Sequence, residues 1–417
     1  MNDDRRTLLI ATLFMFAGIF LLASLFFGAE VTVQLSPGPV LLTSPPTISP
    51  DSQRAVYANE AGLWSVPLHG GSSTVLAPLL GPQLFGAAQI TPDGARVVYV
   101  ADQDTLGKPE LYSVPIAGGP SVRISKDMAA TGQVRDFALG QAQVYYAADA
   151  VSNNVIELWR VPQSGGTSVR VNRAMPNDNY DVFEYAVSAP PERVVFRVGR
   201  STVGGHKLYS APPTGTSAQS VEISRDMVTG GGVDEDFKIS EDGSRVVYRC
   251  DCEDNGEFNL YSVAIAGGTS IRLNTVLGGV GSFRTTVAGG SEAVTYEQTQ
   301  LGIASWFSVL VTGGTPVPVP PPVPEPLRSP DGKWIVYGAG VGLWSSHTSG
   351  NHQLVSCAGQ TVTSTFIGKP TYSVSPDSRT VLYVAGALWS GPVSGSVCEL
   401  FRNGFESGTA GAWIVVE

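Results

Sequence analysis

The stretch "DCEDNGE", residues 251–257, is the most polar loop of the chain. Asp251, Glu253 and Asn255 alternate along it and Gly256 follows, a partial match to the D-x-[DN]-x-[DN]-G loop that wraps Ca²⁺. Alternate oxygens on a hairpin are the hard ligands this ion takes. Glu253 is bulky for the third place, and Ser262 stands where a bidentate Glu closes such loops. The same residues also read as an acidic hairpin tip, so a Ca²⁺ site and no cofactor both stay open.

Three short segments rhyme: "SKDM" (125–128), "NRAM" (172–175) and "SRDM" (224–227). Their equivalence sets Lys126, Arg173 and Arg225 along one rim. They read either as three solvated cations or as a positive arc that meets an acidic partner. Met128, Met175 and Met227 read as apolar plugs behind them. The four cysteines allow three pairings. A Cys357–Cys398 bridge is expected to fasten the end of the chain, and Cys250-x-Cys252 offers a local one. The spacing lacks the two C-x₂-C knuckles of a four-thiolate zinc site.

Catalytic signatures are missing. His69, His206, His347 and His352 form no H-E-x-x-H pair, and no G-x-S-x-G elbow occurs. An enzyme remains the alternative only through scattered carboxylates that meet in three dimensions.

The elements that must carry these residues repeat. Leu63-Trp64, Leu111-Tyr112, Leu158-Trp159, Leu208-Tyr209, Leu260-Tyr261, Trp306-Phe307, Leu343-Trp344 and Leu388-Trp389 mark eight units, 37 to 52 residues apart. A second marker precedes them: "SPDSQRAVY" (49–57), "TPDGARVVY" (91–99), "SEDGSRVVY" (240–248), "SPDGKWIVY" (329–337) and "SPDSRTVLY" (375–383). Pro, Asp and Gly make its turn, and the β-branched and aromatic run makes a buried strand. Its aspartates are turn formers, not paired acids. Unit five yields four strands, at 235–240, 244–250, 258–265 and 270–274, with Gly267-Gly268 turning between the last two. Phe137, Phe183, Phe237 and Phe283 recur in first strands and read as core. The run "TPVPVPPPVPEPLRSP" (315–330) either supplies the outer strand of unit six or is a hinge after six units.

These "SPDG … [IV]-x-Y … LYSV … GG" units resemble the WD40-like (PD40) propeller repeats of TolB-type proteins, over roughly residues 45–400. The resemblance implies an all-β chain: a β-propeller of four-stranded blades, here eight of them, in which each sheet hides its faces on its neighbours.

Leu8 to Phe27 is twenty residues without a charge, behind Arg5 and Arg6. As a helix it spans about 30 Å, one hydrocarbon core, with the start cytoplasmic. Residues 1–30 are therefore expected as an N-terminal transmembrane helix or a cleaved signal peptide. Residues 31–46 follow as a linker, 47–400 as the propeller and 401–417 as a tail. The formal net charge of −10 argues against nucleic acid and against adsorption to anionic lipid. The expectation is a monomeric, non-catalytic scaffold in the envelope, outside the cytoplasm, that binds a protein or peptide partner. The alternatives are a propeller lyase or hydrolase, or a carbohydrate-binding module, acting in the central funnel.

Overall fold

The computed structural model describes residues 33–36, 46–59, 61–78, 88–174, 179–200, 205–274, 278–288, 291–300, 303–319, 327–328, 334–339, 342–347, 352–354, 372–385 and 387–392. Leu8–Phe27, Cys357, Cys398 and the tail from 401 lie outside them. Among the described residues no helix is long and apolar enough to cross a membrane.

The described strands form eight four-stranded antiparallel sheets. In the first seven, consecutive strands are neighbours. The second sheet is typical: Gln89–Ile90, Arg96–Ala101, Glu110–Pro115 and Val122–Arg123. Its second strand, RVVYVA, is buried at every position after the arginine, because both faces of the sheet are covered. Apolar clusters bridge neighbouring sheets. Val56, Ala58 and Leu63 of the first meet Val97, Tyr99 and Tyr112 of the second. Tyr145 and Leu158 of the third meet Val194 and Phe196 of the fourth.

The eighth sheet holds Tyr372–Val374, Thr380–Ala385 and Ala387–Pro392, and its outer strand is Val33–Gln34 from the other end of the chain. Val33 pairs with Ser390 and Gln34 with Trp389. The segment expected as a linker thus supplies a strand. The eighth sheet packs on the first: Leu382 lies in one cluster with Ala55, Tyr57, Val66, Leu68 and Leu35. Ser390 Oγ donates to the Leu68 carbonyl at 2.6 Å. The proline run resolves as well: Val317–Val319 is the outer strand of the sixth sheet, paired to Trp306–Ser308. An edge strand tolerates Pro318, which has no amide to donate.

Side-chain bonds repeat from sheet to sheet. Ser49, Thr91, Ser240 and Ser375 donate to Asp51, Asp93, Asp242 and Asp377 at 2.5–2.6 Å. Each aspartate also accepts the amide two residues on. These bonds, the hydroxyl first, hold the carboxyls of Asp51, Asp93 and Asp242 below the usual range. Arg54, Arg96, Arg193 and Arg245 donate Nε–H to Ser65, Ser113, Ser210 and Ser262, the serines of the "LYSV" signature. Gly118 shows why that signature ends in Gly-Gly. Its φ is +96°, and a Cβ there comes within 2.7 Å of Thr74 on the preceding sheet.

Candidate functional site

The chemistry gathers where the first strands begin. In four consecutive sheets, the third to the sixth, these strands are Val134–Leu139, Tyr180–Val187, Val233–Ile239 and Val280–Ala288. Each carries a buried valine at or near its start: Val134, Val182, Val233 or Val280. The pairing register then shifts, and resumes at Asp136, Tyr185, Phe237 and Phe283. A β-bulge re-aims the side chains it carries. Here they are Arg135 and Asp136, Phe183 and Glu184, Asp234 to Asp236, and Gly281 with Ser282.

Phe137, Phe237 and Phe283 are core, as expected. Phe183 is not. In the fourth sheet Tyr185 takes the core register, opposite Phe196, as Phe137 does opposite Tyr146. Phe183 falls in the bulge instead. Its ring meets the edge of His206 at 5.0 Å, and the Arg197 guanidinium lies 5.1 Å from its centroid. Burial and then Arg197 push the His206 pKa down.

A cavity of about 510 Å³ is lined by Glu184, Glu235, Asp236, Arg249, Gly281 and Ser282. Three carboxylates and one guanidinium line it, and with their ion-pair partners Arg197, Lys238 and Asp234 counted the excess is a single negative charge. Arg197 bonds Glu184 at 2.5 Å and Lys238 bonds Asp236 at 2.6 Å. Arg249 pairs with Asp234 and also donates to the Val280 carbonyl at 3.0 Å. Glu235 is exposed. Next to the cavity's Glu184, Tyr185 Oη donates to Asp136 at 2.7 Å. The Asp136 carboxyl is raised, first by crowding of protein around it and then by the Glu184 charge, against the bond from Tyr185. Water still reaches it.

The loop read for calcium works differently. Asp251 is buried and accepts the Gly232 amide at 2.6 Å and the Gly256 amide at 2.9 Å. Asp149 accepts Gln133 and Asn154 amides in the same way, and Asp102 accepts Gly107. In all three loops the partner five residues on has a positive φ: Gly107, Asn154 and Gly256. Asp149 and Asp251 thereby clamp a hairpin to the backbone just before a bulge. Glu253 is held by Arg225 at 2.6 Å and Arg272 at 2.9 Å. Asn255 is exposed at the tip. Among the described residues no three acidic, His or Cys side chains converge as a metal site. Cys250 and Cys252, both buried, are disulfide-linked across Asp251.

The clamp gives a sharp expectation. Asp251→Ala leaves the buried Gly232 amide without an acceptor and releases the Gly256 amide at the exposed tip, and costs about 2 kcal/mol of stability in urea denaturation. Asp251→Asn keeps one acceptor oxygen and costs about half as much.

Lys126, Arg173 and Arg225 occupy links between sheets, and their charges are not equally free. Lys126 is exposed and lies 5.6 Å from the Trp159 ring centroid. Arg173 is exposed, donates Nε–H to the Ser220 carbonyl, and lines a cavity of about 300 Å³ with Tyr180, Phe196 and Tyr209. Arg225 lies over Tyr261 at 4.9 Å and is neutralised by Glu253. The backbones beneath are fixed by tyrosines: Tyr146 Oη accepts the Lys126 amide and Tyr248 Oη the Arg225 amide. Met128 and Met227 pack against the cores, while Met175 lies outside the described residues.

Known structures share this arrangement of sheets. Dipeptidyl peptidase 4 of Porphyromonas gingivalis is similar over 82% of this chain and 56% of that one, at 10% identity and a TM-score of 0.52. The Dos1 propeller is similar over 88% and 96%, at 12% identity and a TM-score of 0.49. A putative TolB from Agrobacterium tumefaciens is similar over 57% and 81%, at 16% identity and a TM-score of 0.36. The fold is that of a β-propeller. No family model and no curated protein matches the chain.

In a propeller the loops on one face surround the central opening, and function concentrates in such loops. The bulges of this propeller lie on the face that carries the hairpins between second and third strands and the interblade links, since Gln133 and Gly232 bond the hairpin aspartates. Its acidic bulge residues were missed in the sequence. The available signal was the run "DED" (234–236) before Phe237, one residue longer than "RD" before Phe137.

Proposed function

We propose that this chain is a non-catalytic, extracytoplasmic scaffold: a closed ring of eight blades that binds a protein or peptide partner at the mouth of its central opening. Packing of the eighth sheet on the first supports the ring. The uncharged Leu8–Phe27 segment after Arg5 and Arg6 supports an anchor in the inner membrane with the body outside the cytoplasm. The Cys250–Cys252 bridge supports an oxidising compartment. The observation that carries the binding reading is the net negative cavity built from bulges of consecutive blades. Its charge complements a partner segment that bears lysine or arginine.

Calorimetry with a tetralysine peptide, and with tetraglutamate as control, tests this. Binding of the cationic peptide alone is expected, weakened by salt. The double variant Glu235→Lys with Asp236→Lys is expected to lower its affinity at least tenfold. Equal binding of both peptides, or no effect of the charge reversal, overturns the reading.

One observation favours the second reading, a propeller lyase or hydrolase. Asp136 is a raised carboxyl beside a second carboxyl, Glu184, the kind of pairing a general acid and its partner use. Turnover of a polymeric substrate that Asp136→Asn abolishes, with unchanged folding, establishes that reading in place of the first.

A further inference from the structure

We propose that the propeller is tethered with its turn face toward the membrane, so that the acidic opening and the cationic rim point away from the bilayer. This rests on the anchor reading of residues 8–27 given above.

The direction follows from the outer strand of the eighth blade. Val33 lies opposite Ser390 and Gln34 opposite Trp389. Moving back from Val33 toward the anchor therefore runs toward Pro392. Pro392 lies opposite Thr380, next to the Ser375-x-Asp377 turn. A second contact agrees: a Cβ on Gly70, in the Gly-Gly turn of the first blade, comes within 2.9 Å of Val33 Cγ1. The chain thus leaves the ring at the face of the Ser/Thr-x-Asp and Gly-Gly turns. Asp149, Asp251, Lys126, Arg173, Arg225 and the bulges belong to the opposite face.

Only residues 28–32 separate Phe27 from Val33. The six Cα steps from Phe27 to Val33 reach at most about 22 Å when fully extended, which leaves nothing over to pass round the ring. The six-residue strands that separate the two faces are about 20 Å long. A ring on so short a lead has no freedom to turn its rim face to the bilayer without giving up the strand Val33–Gln34. The exposed aspartates of the turn face, Asp51 and Asp93, offer anionic lipid no attraction, so the tether and not adsorption sets the orientation.

The test uses the full chain in phosphatidylcholine vesicles that carry an acceptor-labelled lipid. A fluorescent amino acid replaces Gln53, exposed on the turn face, or Ser152, exposed on a rim hairpin. Energy transfer to the lipid is expected to be at least twofold more efficient from position 53. Equal transfer, or stronger transfer from 152, in a protein that floats with the vesicles overturns the orientation and leaves the anchor standing. A protein that does not float overturns the anchor, and the orientation falls with it.

Discussion

A chain that starts at residue 46 is expected to be about 3–6 kcal/mol less stable than one that starts at residue 31. The first lacks the strand Val33–Gln34, and the second lacks only the apolar leader. The loss comes from the seam between the two ends of the molecule. Leu35 is 3% exposed and shares a cluster with Leu68, Val66 and Leu382, which open to water when it is gone. Filling a core position with leucine is worth about 2–5 kcal/mol, so Leu35→Ala alone is expected to account for much of the difference. Total stabilities of about 5–15 kcal/mol make this a large fraction. The difference is read as a fall in the urea midpoint. Equal midpoints contradict a ring closed by this strand.

The second large effect is alkaline. Tyr99, Tyr261 and Tyr296 are almost fully buried, and burial pushes each phenol up to about 12. In the unfolded chain they titrate near 10. Keeping them neutral is therefore favourable below pH 10, and that contribution is lost as pH climbs from 10 through 12. Cooperative unfolding in this window is expected, with phenolate absorbance rising together with loss of the β signal. Phenolate formation well before unfolding contradicts it.

The phenols also differ from one another at neutral pH. Tyr99 Oη bonds Ser121 at 2.6 Å and donates to Gln103, and Tyr248 bonds Ser270 in the same way. Among the described residues Tyr296 Oη has no hydrogen-bond partner, and Pro316 stands where the other repeats carry that serine. Tyr99→Phe is expected to cost about 1–2 kcal/mol and Tyr296→Phe close to nothing.

Much of the fold was legible because its signals are local and repeated. The Ser/Thr-Pro-Asp turn, the Val-Val-Tyr strand, the "LYSV" strand and the Gly-Gly turn each occupy a few residues and recur. What was not legible is non-local or a matter of register. Val33–Gln34 meets a strand some 350 residues away, and two residues carry no pattern of their own. A bulge displaces a pairing without changing composition, so Phe183 looked like its three counterparts while Tyr185 held the core place. The clamp role of Asp251 does not show when its loop is viewed alone. Aligned with "DQDTLG" (102–107) and "DAVSNN" (149–154), its spacing to Gly256 is that of a hairpin clamp. Lys126, Arg173 and Arg225 are legible as rhyming positions along the links, but Glu253, which neutralises Arg225, comes from a neighbouring hairpin.

The ring closure on which the rest depends is tested most directly by a single cross-link. Val33 and Ser390 are opposite one another in an antiparallel pair. Such pairs hold their Cα atoms about 4.5–5.5 Å apart, within disulfide reach. With Val33→Cys and Ser390→Cys introduced, oxidation of the dilute protein is expected to join these two positions within one chain, as mapped by mass spectrometry of the unreduced peptides. Their failure to join, or joining only between separate molecules, contradicts the closed ring.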